Sequence, residues 1–177
     1  MPRRGAAVEG SCIMPISFVR IDDRVIHGQT VTRWAAQKPC DGILVISDKV
    51  ASDDLRKKVL KAAAGRLKLG VYTVEQGVAA LEKARASKHN FFIISDSVEE
   101  FAALKRAGGD FGKVLNVGNL STTRPGTKNL GSAICINDED VKCFDYLADQ
   151  GIDLQFQMIP EDGVRTWPAL KAKYQSL

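Results

Sequence analysis

Ile43-Leu44-Val45-Ile46 and Phe91-Phe92-Ile93-Ile94 are apolar at every position. Successive side chains of a strand point to opposite faces, so each run needs cover on both sides. Sheets buried on two faces are mostly parallel, with helices as the crossovers. Working outward, apolar runs alternate with amphipathic segments along the rest of the chain. Strands are expected at Ile16–Ile21, Gly42–Ser47, Lys68–Thr73, Asn90–Ser95, Lys113–Val117, Ser132–Ile136 and Asp153–Ile159. Helices are expected between them. One opens over Gln29–Ala36, with Trp34 and Val31 on its buried side. Another starts at Ser52-Asp53-Asp54 or at Asp48, carries Leu55, Val59, Leu60 and Ala63 at helical spacing, and stops at Gly65. Thr73 precedes Val74–Ala86, with Val78, Leu81 and Ala84 on one stripe. Ser97 caps Val98–Ala107, which Gly108-Gly109 ends. Asn137 caps Asp138–Asp149, whose acidic first turn suits the helix dipole. A last helix runs from Asp162 or Pro168 to Tyr174.

The chain has 177 residues, enough for one domain with a full core. Its 45% hydrophobic and 26% charged content is that of an ordinary soluble globular protein. The net charge of +4 is scattered rather than gathered into runs, which argues against a nucleic-acid surface. A modest basic face for an acidic protein partner fits the same numbers. Residues 1–13 fall outside the periodic pattern and read as a leader or expression remnant, leaving 14–177 as the single domain. No apolar stretch is long enough to span a bilayer. Cysteines 12, 40, 135 and 143 show no metal-type spacing, and a reducing cytoplasm suits them. His89 reads as a surface residue.

Chemistry concentrates in Asp22-Asp23-Arg24-Val25-Ile26-His27-Gly28-Gln29, a charged loop between the first strand and the first helix. Imidazole is nucleophilic near neutral pH, and attack on phosphorus gives an energy-rich phosphoramidate. Arg24 offers a planar donor fork for phosphate oxygens. Backbone N–H groups of Gly28, Gln29 and Thr30, at a helix start, can face the same oxygens. Gly28 also permits close approach and an unusual φ. Asp22 or Asp23 could hold the arginine or fix the imidazole tautomer, with the other carboxylate turned away from the phosphate. The plainer alternative is a solvated histidine with Arg24 bridged to an aspartate. A second polar stretch, Gly118–Gly131, follows the strand ending at Val117 and so emerges at the same carboxyl edge, where open α/β sheets place ligands. If the two strands are neighbours, the loops can meet.

Arg20-Ile21-Asp22-Asp23-Arg24-Val25-Ile26-His27-Gly28-Gln29, with Trp34 soon after, closely resembles the active-site segment of one transporter family. These are the IIB components of the bacterial phosphoenolpyruvate-dependent sugar phosphotransferase system, mannose/fructose/sorbose type. Their usual pattern is R-I-D-[DE]-R-L-I-H-G-Q-V followed by T-x-W; Val25 stands for Leu, and Thr30 for the residue after Gln. The resemblance continues through Ile46–Ala51, Val114-Leu115-Asn116-Val117-Gly118-Asn119 and Asp138–Gly151. It implies an open, mostly parallel twisted α/β sheet with helices on both faces, in a cytoplasmic subunit or domain associated with the membrane through its permease. It implies a phosphotransferase without metal or organic cofactor. A IIA component phosphorylates His27 on its δ1 nitrogen, Arg24 assists, and the group passes to a sugar held by IIC and IID subunits. Arg20 would hold the loop through Asp22 or Asp23, and Asn116, Gly118 and Asn119 would shape the facing wall. Mannose, fructose, sorbose and amino sugars such as N-acetylgalactosamine all fit, the N-V-G-N segment leaning toward the amino sugars. Two other readings compete: a domain that binds a nucleotide without covalent chemistry, and a scaffold that only docks a partner. The missing G-x-G-x-x-G or Walker pattern counts against the first.

Overall fold

A computed structural model describes residues 15–177. The leader 1–13, Cys12 and the start at Met14 lie outside the described residues. The chain forms β1 (Ile16–Asp22), α1 (Gly28–Gln37), β2 (Gly42–Ile46), α2 (Asp48–Ala51), α3 (Asp54–Ala64), β3 (Lys68–Tyr72), α4 (Val74–Arg85), β4 (Phe91–Ser95) and α5 (Val98–Arg106). It continues with β5 (Val114–Asn119), β6 (Lys128–Asn129), β7 (Cys135–Ile136), α6 (Asp138–Asp149), β8 (Asp153–Phe156), β9 (Arg165–Thr166) and α7 (Trp167–Ser176). Seven strands make one sheet in the order β3-β2-β4-β1-β5-β8-β9. Its pairs are parallel except β8–β9.

The all-apolar runs take the central places they demand: β2 is buried throughout and Phe92–Ser95 of β4 almost so. Alternation along each strand feeds two cores. Ile43, Val45, Phe92 and Ile94 pack with Phe18 of β1, Trp34 of α1 and Leu60 of α3. Leu44, Ile46, Ile93, Leu115 and Phe156 pack on the other face against Leu81, Phe101, Phe144 and Trp167 from α4 to α7. The sequence of crossovers therefore reverses direction after β3, and β1 and β5 become neighbours through Arg20–Asn116 and Ile21–Val117. That adjacency brings the His27 loop beside the Gly118–Gly131 stretch.

Four expectations need correction. Ser132–Ile136 is not a strand of the main sheet: Cys135–Ile136 pairs antiparallel with β6, and Ile134 makes an isolated parallel bridge to Leu120, just past β5. Ser132 and Ala133 have positive φ and make the turn that the local apolar pattern concealed. The expected helix beginning at Asp48 or Ser52 is two helices, because Ser47 caps Val50 and Asp53 caps Arg56 separately. On α3 only Leu60 of the expected stripe is buried; Leu55 is 73% and Val59 59% exposed, and Ala63 is exposed too. The strand expected to reach Ile159 stops at Phe156, since the carbonyls of Gln157 and Met158 turn toward Arg20.

Candidate functional site

Arg20 and Asp22 occupy alternate positions of β1, so both face the α1 side of the sheet among apolar neighbours. They are 2% and 0% exposed. Charges so placed persist only when paired and hydrogen-bonded. Arg20 donates to Asp22 Oδ2 through Nε (3.3 Å) and Nη2 (3.0 Å). It also donates to Asn116 Oδ1 (2.5 Å), Gln157 O (3.3 Å) and Met158 O (3.0 Å). Arg20 Cζ lies over the Trp34 ring, 5.9 Å from the ring centroid, and the indole N–H donates to Met158 O at 3.3 Å. Below lies Gly118, where a Cβ would collide with the guanidinium itself. The glycine serves close packing against Arg20.

Asp22 then gathers the loop. Its Oδ1 accepts from Arg24 N and Arg24 Nε, each at 3.1 Å, and Oδ2 from Arg24 Nη2 at 3.3 Å. His27 Nε2 lies 3.2 Å from Oδ2, with the ring 26% exposed. Burial alone pushes the Asp22 carboxyl up, but hydrogen bonding and charge from Arg24 and Arg20 outweigh it and hold it below the usual carboxylate range. Burial lowers Arg20, and Asp22 offsets part of that. An ionised Asp22 can only accept, so the ring nitrogen that faces it, Nε2, carries the proton.

Asp23 points the other way. Its carboxylate accepts from Asn119 Nδ2, and at 2.8 Å each from Ser121 N, Thr122 N and Thr122 Oγ1. Its own N–H donates to Asn119 O at 3.0 Å. The two carboxylates thus divide their work: one holds arginines and imidazole, the other staples the β5 loop to the β1 loop.

The turn between them is tight, closed by Val25 N to Asp22 O at 2.8 Å, and Val25 sits at φ 63°. A β-branched residue in the left-handed region costs about 1–2 kcal/mol. Burial of Val25 (1% exposed) and Ile26 (5%) in the α1-side core holds it there. The unusual φ expected at Gly28 therefore belongs to Val25. Gly28 opens α1, and a Cβ there would meet nothing within 4 Å, so the approach to the helix start is open. His27 is the N-cap, in extended backbone and without a side-chain capping bond; Gly28, Gln29 and Thr30 form the first turn, which carries no acidic residue. Unpaired helix-start amides with no competing carboxylate suit an anion.

The structure thus groups Arg20, Asp22, Asp23, Arg24, His27, Asn116, Gly118 and Asn119 around the junction of β1 and β5. Asn116 bridges strands, accepting from Arg20 and donating to Gln157 O at 3.1 Å. Sequence reasoning missed Arg56 of α3, which donates to Asp23 O at 3.3 Å and pairs with Asp96 at 3.5 Å. Nothing sets it apart from the lysines around it. Nor could the carbonyls of Gln157 and Met158 be found, since backbone groups carry no residue-type signal. The described residues hold no cluster of His, Cys, Asp and Glu able to bind a metal ion.

Fold and site together define an open, doubly wound α/β protein with an arginine-lined, anion-suited site at the carboxyl edge of its central strands. The chain belongs to the family of PTS system sorbose subfamily IIB components, whose model matches residues 16–176. It is 30% identical over 151 residues to the fructose-specific EIIB component of Bacillus subtilis (strain 168), covering 85% of this chain and 91% of that protein. It resembles the solved IIBSor domain of the Klebsiella pneumoniae sorbose permease, with a TM-score of 0.82 at 27% identity over 93% of this chain and 99% of the other. It also resembles the Escherichia coli N-acetylgalactosamine-specific IIB component 1, with a TM-score of 0.79 at 28% identity, covering 86% and 99%.

Proposed function

We propose that this chain carries a phosphoryl group on His27 between a IIA donor and a sugar held by membrane IIC and IID subunits. The observation that supports it most directly is the His27 Nε2–Asp22 contact at 3.2 Å. With Nε2 protonated against the carboxylate, Nδ1 is the nucleophile in this reading. Nδ1 attacks the phosphorus of the donor's phosphohistidine. The donor's N–P bond breaks, and its electron pair returns to the donor imidazole. The His27 ring becomes positive as it gains the group, and the Asp22 carboxylate beside Nε2 stabilises that charge, as a buried aspartate does for a catalytic imidazole. Arg24, half-exposed at 43%, keeps Nη1 clear of Asp22 and turns it to a phosphoryl oxygen, while the first amides of α1 take the others. In the second step a sugar hydroxyl attacks, the P–Nδ1 bond breaks, and the hydroxyl proton leaves to a base on the acceptor side. Positioning and charge carry both steps.

Membership of the family supports the transferase class, and a mannose-specific EIIAB relative in Escherichia coli supports a IIA partner. The same reading makes the chain cytoplasmic and peripheral to the permease; among the described residues no helix is long and apolar enough to cross a membrane. Relatives named for fructose, sorbose and N-acetylgalactosamine leave the sugar open among these classes. Incubation with phosphoenolpyruvate, the general phosphotransferase proteins and a IIA component should label the chain with acid-labile phosphate. Equal labelling of a His27→Ala variant would refute the assignment.

A further inference from the structure

Helix α3 turns Leu60 and Ala64 into the core and leaves Leu55, Val59 and Ala62 outside, at the i, i+4, i+7 spacing of one helical face. Leu55 is the most exposed large apolar side chain among the described residues, and Val59 follows one turn later at 59%. Lys58 and Lys61 flank this stripe, both exposed. Residues 53–68 hold six basic side chains (Arg56, Lys57, Lys58, Lys61, Arg66, Lys68) against Asp53 and Asp54. The remaining nineteen basic residues are balanced by nineteen acidic ones, so this one segment carries the whole net charge of +4. The charge that looks scattered along the chain is therefore local in sum.

The segment also reaches the site. Arg56, next to Leu55, donates to the backbone carbonyl of Asp23 and pairs with Asp96. The start of α3 thus abuts the loop that ends in His27. We propose that the outward face of α3 docks the protein that hands the phosphoryl group to His27, through an acidic rim around a small apolar centre on that donor. The inference rests on the phosphoryl-relay reading of His27. Continuity with the loop matters, because a donor must bring its own phosphohistidine to Nδ1 while seated. Exposed lysines around an apolar centre steer an acidic partner and raise its encounter rate. An anionic membrane fits less well: the face has no aromatic residue, and Asp53 and Asp54, both exposed, lie beside Leu55.

The test uses the full chain and a purified phosphorylated IIA donor. The variants are Lys58→Glu with Lys61→Glu, and Leu55→Ser with Val59→Ser, none of them in the site. Each pair should raise the donor's KM by about tenfold with kcat within about twofold, and wild-type KM should rise with salt as screening predicts. Phosphoramidate, a small chemical donor that needs no docking, should label His27 equally in wild type and variants. Unchanged donor KM in both pairs, with phosphoramidate labelling intact, overturns the docking face and leaves the relay standing. Failure of both donors to label wild-type His27 overturns the relay instead. Binding of wild type to vesicles of phosphatidylcholine and phosphatidylserine, lost in the lysine pair while donor KM is unchanged, overturns the proposal in favour of a lipid surface.

Discussion

Gly118→Ala tests whether the buried arginine organises the site. Gly118 does not have positive φ, so alanine suits its backbone. By that measure alone the substitution would stabilise the fold by about 0.4–1 kcal/mol through the unfolded state. The added methyl, however, would overlap Cζ and both terminal nitrogens of Arg20. The strand cannot yield easily, because β5 is held by β1 on one side and β8 on the other. The guanidinium must move, giving up bonds to Asp22, Asn116, Gln157 O and Met158 O, and Asp22 loses a buried counter-charge. Removing one partner of a buried pair costs about 3–5 kcal/mol, so a net loss of about 3 kcal/mol is expected. For a protein of this length that lowers Tm by roughly 6–12 °C. Urea unfolding of wild type, Gly118→Ala, Arg20→Ala and the double variant forms a cycle. Because Arg20→Ala removes the obstacle, the glycine substitution should then cost almost nothing, giving a coupling of about 2 kcal/mol or more. A cycle additive to within about 0.5 kcal/mol would refute the close-packing account.

Asp22→Asn should release the tautomer and remove the carboxylate that stabilises the charged ring. Phosphorylation by the donor should slow by about 10²–10⁴-fold, and long-range nitrogen NMR of His27 should lose its single Nε2–H form. Asp23→Ala should leave the His27 tautomer in place while freeing the β5 loop. We expect a loss of about 1–3 kcal/mol and faster amide exchange at Ser121 and Thr122; unchanged exchange would exclude the staple. Glu100 is half-buried, and burial raises its carboxyl to about 7. The folded state then binds a proton more tightly than the unfolded one, so the contribution of Glu100 to stability is full at low pH and falls as pH rises toward 7. The shift corresponds to about 1–2 kcal/mol after discounting for solvent screening. Glu100→Gln should remove this slope in urea titrations between acid and mildly alkaline pH. Burial also lifts the Cys40 thiol to about 11, so its alkylation near neutral pH should be slow.

The sheet was legible because its central strands have no choice. A run such as Ile43-Leu44-Val45-Ile46 can satisfy every side chain only between two layers, and the caps at Ser97, Asn137 and Thr73 sit where their oxygens find amides. Legibility failed where burial is decided by neighbours far away in sequence. Leu55 and Val59 follow helical period as faithfully as Leu60, and only the position of α3 on the sheet separates outward from inward. Ser132-Ala133-Ile134-Cys135-Ile136 alternates like a strand, yet two left-handed residues at its start leave it one isolated bridge, Ile134 to Leu120, beside the main sheet. At the site, residue identities singled out His27, Arg24 and the two aspartates, which the structure places on one loop. Which aspartate faced the ring was not readable, since both lie within five residues of it and differ only in the side to which each turns at the end of β1.

That difference has an energetic reason. Asp22 ends β1 on the α1 side and is sealed against Arg20, whereas Asp23 lies beyond the strand at the half-buried rim. Arg20 and Arg24 against Asp22 leave one positive charge in excess, and an imidazolium adds a second. A phosphoryl dianion on Nδ1 would bring this group of charges to neutrality. In the proposed relay, the unphosphorylated site would hold a surplus that attracts the group, and the phosphorylated site none that would trap it. A second carboxylate turned inward would cancel the surplus in advance and repel the incoming phosphate. Asp23 is instead consumed by donors of the β5 loop, so the motif keeps two acids in sequence while presenting one to the chemistry.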